Sequence, residues 1–285
     1  MLGSALTPIL LEDNYQVIPT DVNTQANEKL VFLDACDTSS VFRIIEEQNP
    51  DIVMHLAAET DVDRCEVDPD RAYKTNAIGT QNVALACQKF NTIMVYVSTG
   101  AVFDGSKFEP YTEFDDPKPI NTYGKTKLAG ERIVQNLLHK YYIVRAGWMI
   151  GGGAKDKKFI AKMVDLLKTT KELKVVADKF GSPTYTVDFS KGLRQLIKTE
   201  YFGLYHLSNK GSCSRYDIAN ELVKIMERDD VQLTPVNSAY FPCPAPRPRS
   251  EMLRNYKLDL LGITEMRPWK EALRDYVELN FKNNT

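Results

Sequence analysis

Two short stretches carry the residue types best suited to acid–base chemistry. Tyr123 and Lys127 are four residues apart, so on a helix their side chains lie on the same face. A phenol has an ordinary pKa of about 10, and a neighbouring ammonium would lower it toward the neutral range. Ser98 and Thr99 come earlier in the chain, and either hydroxyl could hold a carbonyl oxygen against the phenol. The pattern indicates a site that moves a proton while a cofactor moves a hydride.

Apolar runs and helical periodicity predict the elements that position these residues. In the first half we predict strands at residues 15–20, 30–33, 51–56, 93–97 and 142–145. We predict helices in that half from residue 1 to about 13, at 39–47 and 72–86, and around the tyrosine–lysine pair. In the second half we predict helices at 159–169, 186–199, 216–227 and 269–281, strands at 174–176 and 204–207, a turn at 181–184 and a proline-rich irregular loop at 235–249.

The alternation of strands and helices predicts an α/β fold with a doubly wound parallel sheet, because its strands are continuous apolar runs. We predict a dinucleotide-binding domain at residues 1–148 plus about 184–208, and a smaller substrate lobe at 149–183 and 209–285. Ligands of such sheets bind at the carboxyl ends of the strands. Asp21, Asp34, Ala57 and the segment 98–100 all fall at such ends.

Composition excludes several other classes of function. The chain of 285 residues is 43% hydrophobic and has a net charge of −2, which gives no reason to expect nucleic acid as a partner. No apolar run approaches the roughly 20 residues that span a bilayer, and we expect no membrane partner and no signal peptide. Five scattered cysteines are typical of reduced thiols in a cytoplasmic protein, and three distant histidines form no metal motif.

The motifs together resemble the extended short-chain dehydrogenase/reductase family, and within it the sugar-nucleotide reductases of the dTDP-4-dehydrorhamnose reductase type. The likeness covers nearly the whole chain. It is carried by His55-Leu56-Ala57-Ala58, Asn76-Ala77-Ile78-Gly79-Thr80, Ser98-Thr99-Gly100, Tyr123-Gly124-Lys125-Thr126-Lys127, Gly181-Ser182-Pro183-Thr184-Tyr185 and Arg247-Pro248-Arg249. It implies a Rossmann-type fold, an NADH or NADPH cofactor, a nucleotide-sugar substrate and a homodimer as one reasonable assembly.

The resemblance implies a role for each catalytic residue. Tyr123 would protonate the ketone oxygen, and Lys127 would bond the nicotinamide ribose and lower the pKa of Tyr123. Thr99, supported by Ser98, would orient the carbonyl.

On the substrate side, the resemblance points to Gly100, Trp148, Arg247 and Arg249. Trp148 matches a substrate-contacting aromatic, and plain core packing is an equal alternative. The two arginines would grip the nucleotide diphosphate, and solvated surface charges are their alternative.

The resemblance also implies a set of cofactor-binding residues, namely Met1, Leu2, Gly3, Asp21, Asp34, Ala35, Ala57, Ala58, Glu59 and Asn76, together with Tyr123 and Lys127. Asp21 would accept hydrogen bonds from the adenosine ribose and repel a 2′-phosphate, which favours NADH. Asp34 and Ala35 would lie along the adenine ring. Alternatively, they would belong to a helix-capping region around residues 37–39. Asn76 would match the family's helix asparagine, or make a structural hydrogen bond.

Two departures from the family pattern bear on function. The family begins with a strand and a Gly-x-x-Gly-x-x-Gly turn, and here only Gly3 of that turn is present. We expect a start about ten residues upstream, or else a cofactor-poor remnant. Gly100-Ala101 replaces the Asp-Tyr that is typical of the rhamnose type, which leaves the exact sugar open and argues against a 4,6-dehydratase. We predict a reductase of a nucleotide-linked 4-keto sugar, with an NAD-dependent epimerase and a non-catalytic regulatory subunit as alternatives.

Overall fold

The structure of the protein, a computed structural model, describes residues 1–24, 30–153, 156, 158–263 and 266–282. Its strands are β1 Thr20–Asp21, β2 Val31–Phe32, β3 Ile52–His55, β4 Ile93–Thr99, β5 Tyr141–Ala146, β6 Trp148–Ile150, β7 Glu172–Val176, β8 Phe180–Gly181, β9 Pro183–Tyr185, β10 Gly203–His206, β11 Cys213–Ser214, β12 Gln232–Val236 and β13 Ser250–Glu251. Its α-helices are α1 Leu2–Glu12, α2 Thr38–Gln48, α3 Val62–Val67, α4 Pro69–Tyr73, α5 Gly79–Phe90, α6 Thr122–Leu137, α7 Phe159–Thr169, α8 Thr186–Ile197, α9 Arg215–Ile225, α10 Tyr256–Leu261 and α11 Trp269–Val277.

Four parallel strands form the central sheet, in the order β10-β5-β4-β3. Thr99, the last residue of β4, lies opposite Ala146 of β5. Strand β10 pairs with β5, which confirms that the segment 204–207 returns to the main sheet. Because the strands run in one direction, their carboxyl ends share one edge, where a ligand site of this fold belongs.

Strands β1 and β2 pair only with each other among the described residues, in a separate parallel pair. Each has two residues, so the prediction of strands spanning 15–20 and 30–33 was too long. Val17 packs instead against the core on one face of the central sheet. Its burial holds the segment in place without a hydrogen-bonded ladder.

Helices cover both faces of the central sheet. On one face α1 and α8 pack Leu6, Leu10, Phe189 and Leu193 against the strands. On the other face α2, α5 and α6 contribute the second layer, with Val41, Val83, Ala84 and Val134 at its centre. Burying one such side chain stabilises the fold by about 1.5–3 kcal/mol. This arrangement confirms the predicted doubly wound α/β fold.

The predicted helix at 72–86 consists of three parts. Helix α4 ends at Tyr73, a π-helical turn follows at Lys74–Ile78, and α5 begins at Gly79. A π-turn adds a residue to the helical repeat and redirects the side chains that follow it. Here the turn contains Asn76, one of the predicted cofactor residues.

Outside the central sheet, the second half of the chain contributes three smaller sheets among the described residues. Parallel pairs β6–β9 and β7–β12 and the three strands β11-β8-β13 pack with α7, α9 and α11 around a core of their own. The prediction of a turn at 181–184 was wrong, because β8 and β9 lie on either side of the buried Ser182. The Ser182 carbonyl accepts a hydrogen bond from the Trp148 amide, which ties the segment to β6. In the described part of the chain no helix has the length and apolar character to cross a bilayer.

Candidate active site

Helix α6 presents Tyr123 at the carboxyl edge of the central sheet. Asn121 caps the helix, and its Oδ1 accepts a hydrogen bond from the Gly124 amide at 2.8 Å. A Cβ atom at position 124 would lie 2.2 Å from the Ala101 carbonyl oxygen. Glycine is therefore required for the first turn of α6 to approach the turn that follows Thr99.

Tyr123 stays protonated throughout the neutral range. Burial raises the pKa of Tyr123 to about 12, a hydrogen bond with Thr99 lowers it, and the nearby Glu251 and Cys65 raise it. The expectation that Lys127 lowers this pKa is not met, because burial dominates and the lysine is not among its causes. A protonated phenol is the form that a proton donor needs.

Lys127 lies on the same face of α6 as Tyr123, one turn further along the helix. Only 3% of its surface is exposed, and its Nζ lies 4.1 Å from the centre of the Tyr96 ring. Burial lowers the pKa of Lys127 to about 7, and the charge of Glu131 raises it. The amine thus lies against a ring face with little exposure to solvent, and the charge of Glu131 favours its protonated form.

Ser98 is bonded away from the phenol. Its hydroxyl donates to Glu131 Oε1 at 2.5 Å. The same carboxylate accepts two hydrogen bonds from Arg145, at 2.9 Å from Nε and 2.6 Å from Nη2. Ser98, Glu131 and Arg145 are all buried. The structure therefore gives Ser98 a structural hydrogen bond, which occupies its hydroxyl proton.

Thr99 has the geometry of a donor to a ligand. Its Oγ1 accepts a hydrogen bond from the Ala101 amide at 3.1 Å. Because a hydroxyl has one proton and two lone pairs, the proton of Thr99 is left for the phenol or for a carbonyl oxygen beside it. Thr99 and Tyr123 are both half-buried, so part of each residue is accessible.

The predicted Asn76 makes structural hydrogen bonds. Its Oδ1 accepts from the Glu59 amide at 2.8 Å, and its Nδ2 donates to the Glu59 carbonyl and to Thr126 Oγ1, both at 3.0 Å. The side chain is fully buried. Asn76 thus fixes the backbone just beyond β3 and connects it to α6.

The other predicted cofactor residues lie along the carboxyl ends of β1, β2 and β3. Asp21 and Ala57 are exposed, and Ala35, Ala58 and Glu59 are half-buried. The carboxylate of Glu59 pairs with Arg71 at 3.3 Å and lies 3.8 Å from Arg64. The exposed Ala57 and the half-buried Ala58 leave the backbone at the end of β3 accessible.

Asp34 forms a local turn, in which its Oδ1 accepts from the Cys36 amide at 2.8 Å. Asp37 rather than Asp34 caps α2, through bonds from the amides of residues 39 and 40.

At the start of α1, the side chain of Leu2 lies in the core, and Gly3 has space for a Cβ. Met1, at the start of α1, makes no side-chain capping bond, so the first amides of the helix have no partner of that kind. An anionic group would fit there.

A second group of polar side chains surrounds Trp148. The Trp148 Nε1 donates to Glu251 Oε2 at 2.6 Å, and the Arg215 guanidinium carbon lies 3.6 Å from the centre of the indole. Gly181 makes room for this indole, because a Cβ there would lie 2.3 Å from it. The sequence patterns did not identify Glu251 or Arg215, since neither belongs to a local motif.

Glu251 connects this group to Tyr123 and Gly100. Its charge raises the pKa of Tyr123, and its carbonyl oxygen would lie 3.0 Å from a Cβ at Gly100. Burial raises the pKa of Glu251, whereas the bond from Trp148 and the charges of Arg215, Arg247 and Lys179 lower it. The predicted residues Trp148 and Arg247 thus lie near the Glu251 carboxylate, and Gly100 lies against its backbone carbonyl.

The two predicted arginines have different surroundings. Arg247 pairs with Asp63 at 2.9 Å and belongs to the group around Glu251. Arg249 is exposed, and its guanidinium carbon lies 4.2 Å from the centre of the Phe108 ring. Arg247 is therefore the better placed of the two to meet an anion.

The described residues contain no cluster of three or more potential metal ligands.

Comparison with known proteins gives one consistent result. Residues 1–281 match the family model described as the RmlD substrate binding domain. The chain is 37% identical to the dTDP-4-dehydrorhamnose reductase of Mycolicibacterium smegmatis over 246 residues, which are 86% of this chain and 74% of that protein.

Two crystal structures are also similar. One is a dTDP-4-dehydrorhamnose reductase of Clostridium acetobutylicum, with 42% identity, a TM-score of 0.90 and coverage of 98% of this chain and 95% of the other. The second is the Bacillus anthracis dTDP-4-dehydrorhamnose reductase in complex with NADP, with 38% identity, a TM-score of 0.89 and coverage of 96% and 94%. This chain belongs to the RmlD substrate-binding-domain family.

Proposed function

We propose that the protein is an NAD(P)H-dependent oxidoreductase that reduces a nucleotide-linked 4-keto-6-deoxy sugar, as its dTDP-4-dehydrorhamnose reductase relatives do by name. One observation carries the proposal. A tyrosine that burial keeps protonated lies beside a threonine hydroxyl at the carboxyl edge of a doubly wound sheet, and both residues are half-buried. Two hydroxyl donors beside each other can hold and protonate one carbonyl oxygen.

The residues at the strand ends fit a nicotinamide cofactor. The exposed Ala57 and half-buried Ala58 leave the backbone accessible, and the amides at the start of α1 suit a pyrophosphate. When bound, the cofactor would supply the hydride. Lys127 would donate to its ribose, and Tyr123 would give its proton to the substrate oxygen. The buried Arg145 and Glu131 hold α6 against β4, so that Tyr123 and Thr99 keep their spacing.

The second group of side chains binds the nucleotide sugar. Arg215, Arg247 and Lys179 place three cations near Trp148, which suits a diphosphate. Trp148 holds the Glu251 carboxylate beside these cations, while Arg215 and Gly181 pack against its indole ring. Arg249 has a smaller role, because it is exposed and stacks on Phe108.

We also propose that NADH is preferred over NADPH. Asp21 is exposed at the end of β1 and places a negative charge where an adenosine ribose would lie. A 2′-phosphate there would meet like charge, and its binding would be weaker.

The test is a reductase assay with purified dTDP-4-dehydrorhamnose and either cofactor, followed at the nicotinamide absorbance band. A reductase consumes one cofactor molecule for each sugar reduced. An epimerase interconverts sugars without net absorbance change, and a regulatory subunit converts none. Either of the last two outcomes would overturn the proposal.

A further inference from the structure

The Glu251 carboxylate is the acidic group in a cluster of cations. Arg215, Arg247 and Lys179 all lie close enough to lower its pKa. A site that served only a diphosphate would gain nothing from a carboxylate, because like charges repel. Its presence beside Trp148 therefore calls for another explanation.

The position of Glu251 is fixed by its neighbours on three sides. Strand β13 pairs in parallel with β8, where Glu251 lies opposite Gly181. The Trp148 indole holds Oε2 at 2.6 Å, and the Glu251 carbonyl packs against Gly100. The side chain is half-buried, so it is held in place and still partly accessible.

One oxygen of Glu251 is left for a ligand. In the part of the chain that the structure describes, the Trp148 bond to Oε2 is the one side-chain hydrogen bond that the carboxylate accepts. A carboxylate has about four acceptor positions, so Oε1 can accept a further donor. A sugar hydroxyl is such a donor, and its bond to a charged acceptor is stronger than a neutral one.

We propose that Glu251 is a substrate-specificity residue whose Oε1 accepts a hydrogen bond from the C3 hydroxyl of the keto sugar, while Trp148 holds Oε2. The inference rests on the proposed function, in which Tyr123 and Thr99 hold the C4 oxygen. Glu251 lies beside this pair, since its backbone carbonyl borders Gly100, the residue after Thr99, and its charge raises the pKa of Tyr123. Of the two ring carbons beside C4 in a 4-keto-6-deoxyhexose, only C3 carries a hydroxyl.

The first arm of the test measures binding to Glu251→Gln, which keeps the size of the side chain and can still accept from Trp148. The probes are dTDP and dTDP-rhamnose, titrated into the full chain with indole fluorescence as the readout. Affinity for dTDP should be unchanged or higher, because a negative charge near the diphosphate is removed. Affinity for dTDP-rhamnose should fall about ten- to a hundredfold, the scale of one charged hydrogen bond.

Glu172→Gln is the matched control, since Glu172 is an exposed carboxylate in β7 of the same lobe. It should bind both probes as the wild type does. Equal weakening of dTDP and dTDP-rhamnose in Glu251→Gln would overturn the inference, because the carboxylate would then support the whole site rather than the sugar.

The second arm measures kcat/KM for dTDP-4-dehydrorhamnose and its 3-deoxy analogue. The wild type should favour the hydroxylated sugar by at least tenfold, and Glu251→Gln should lose most of that preference. If Glu251→Gln keeps the preference for the hydroxylated sugar, the inference about Glu251 is overturned. The reductase assignment still stands in that case, provided that the wild type turns the substrate over. Absence of wild-type turnover with either cofactor would overturn both.

Discussion

The Ser98 hydroxyl donates to Glu131 at 2.5 Å and joins the end of strand β4 to helix α6. The hydroxyl of its neighbour Thr99 instead lies beside Tyr123 and lowers the pKa of the phenol. Two adjacent hydroxyls thus have separate tasks, because successive residues of a strand point to opposite faces.

Substitutions at these two positions should separate stability from catalysis. Ser98→Ala removes a donor from a buried carboxylate and should lower the free energy of unfolding by about 1–3 kcal/mol, with kcat little changed. Thr99→Val should lower kcat roughly a hundredfold, the scale of one lost donor to a reacting oxygen. Denaturant unfolding and steady-state kinetics on both variants check this. Equal losses of kcat would contradict the division of tasks.

The buried ion pair of Arg145 and Glu131 should be costly to break from one side. Both side chains are nearly inaccessible, at 3% and 1% exposure. Arg145→Met leaves the carboxylate with Ser98 alone and should lower the free energy of unfolding by about 3–5 kcal/mol. Adding Glu131→Leu to that variant should restore part of the loss. If the double variant is no more stable than Arg145→Met, the unpaired Glu131 carboxylate is not the cause of the lost stability.

The buried Lys127, to which we assign a role in turnover, should lower the free energy of unfolding. Its pKa falls from 10.5 to about 7 on folding, so the unfolded chain binds more protons between these values. The free-energy cost of burying the charged amine is fully present below pH 7 and disappears as the pH rises toward 10.5. Lys127→Met should raise the free energy of unfolding by roughly 1–4 kcal/mol at pH 6.5, less at pH 9, and abolish turnover.

The matched control for this prediction is Lys125→Met, an exposed lysine on the same helix. It should change stability little at either pH. Denaturant unfolding at the two pH values measures both variants. A Lys127→Met protein that is less stable than the wild type at pH 6.5 would contradict the account.

Asp21 should set the cofactor preference. Asp21→Asn removes the charge that opposes a 2′-phosphate, so the ratio of kcat/KM for NADH to that for NADPH should fall roughly fivefold, equivalent to ~1 kcal/mol. Asp51→Asn, at an exposed position before β3, is the control and should leave the ratio unchanged. If the wild type already prefers NADPH, the role assigned to Asp21 is contradicted.

The sequence predicted those features that depend on local pattern. Continuous apolar runs located the strands of the central sheet, and the four-residue spacing put Tyr123 and Lys127 on one helix face. It could not predict the raised pKa of Tyr123, because spacing shows which face a residue is on and not how deeply it is buried. Nor could it identify Glu251 and Arg215, which reach Trp148 only through packing between distant segments.

The most direct test of the central claim is the turnover of Tyr123→Phe, which removes one hydroxyl and keeps the ring. Tyr73→Phe, at an exposed tyrosine, is the control. We predict that Tyr123→Phe lowers kcat at least a hundredfold, the scale of lost general acid catalysis, and binds the cofactor with nearly unchanged affinity. Turnover equal to that of the wild type would contradict the role of Tyr123 as the proton donor.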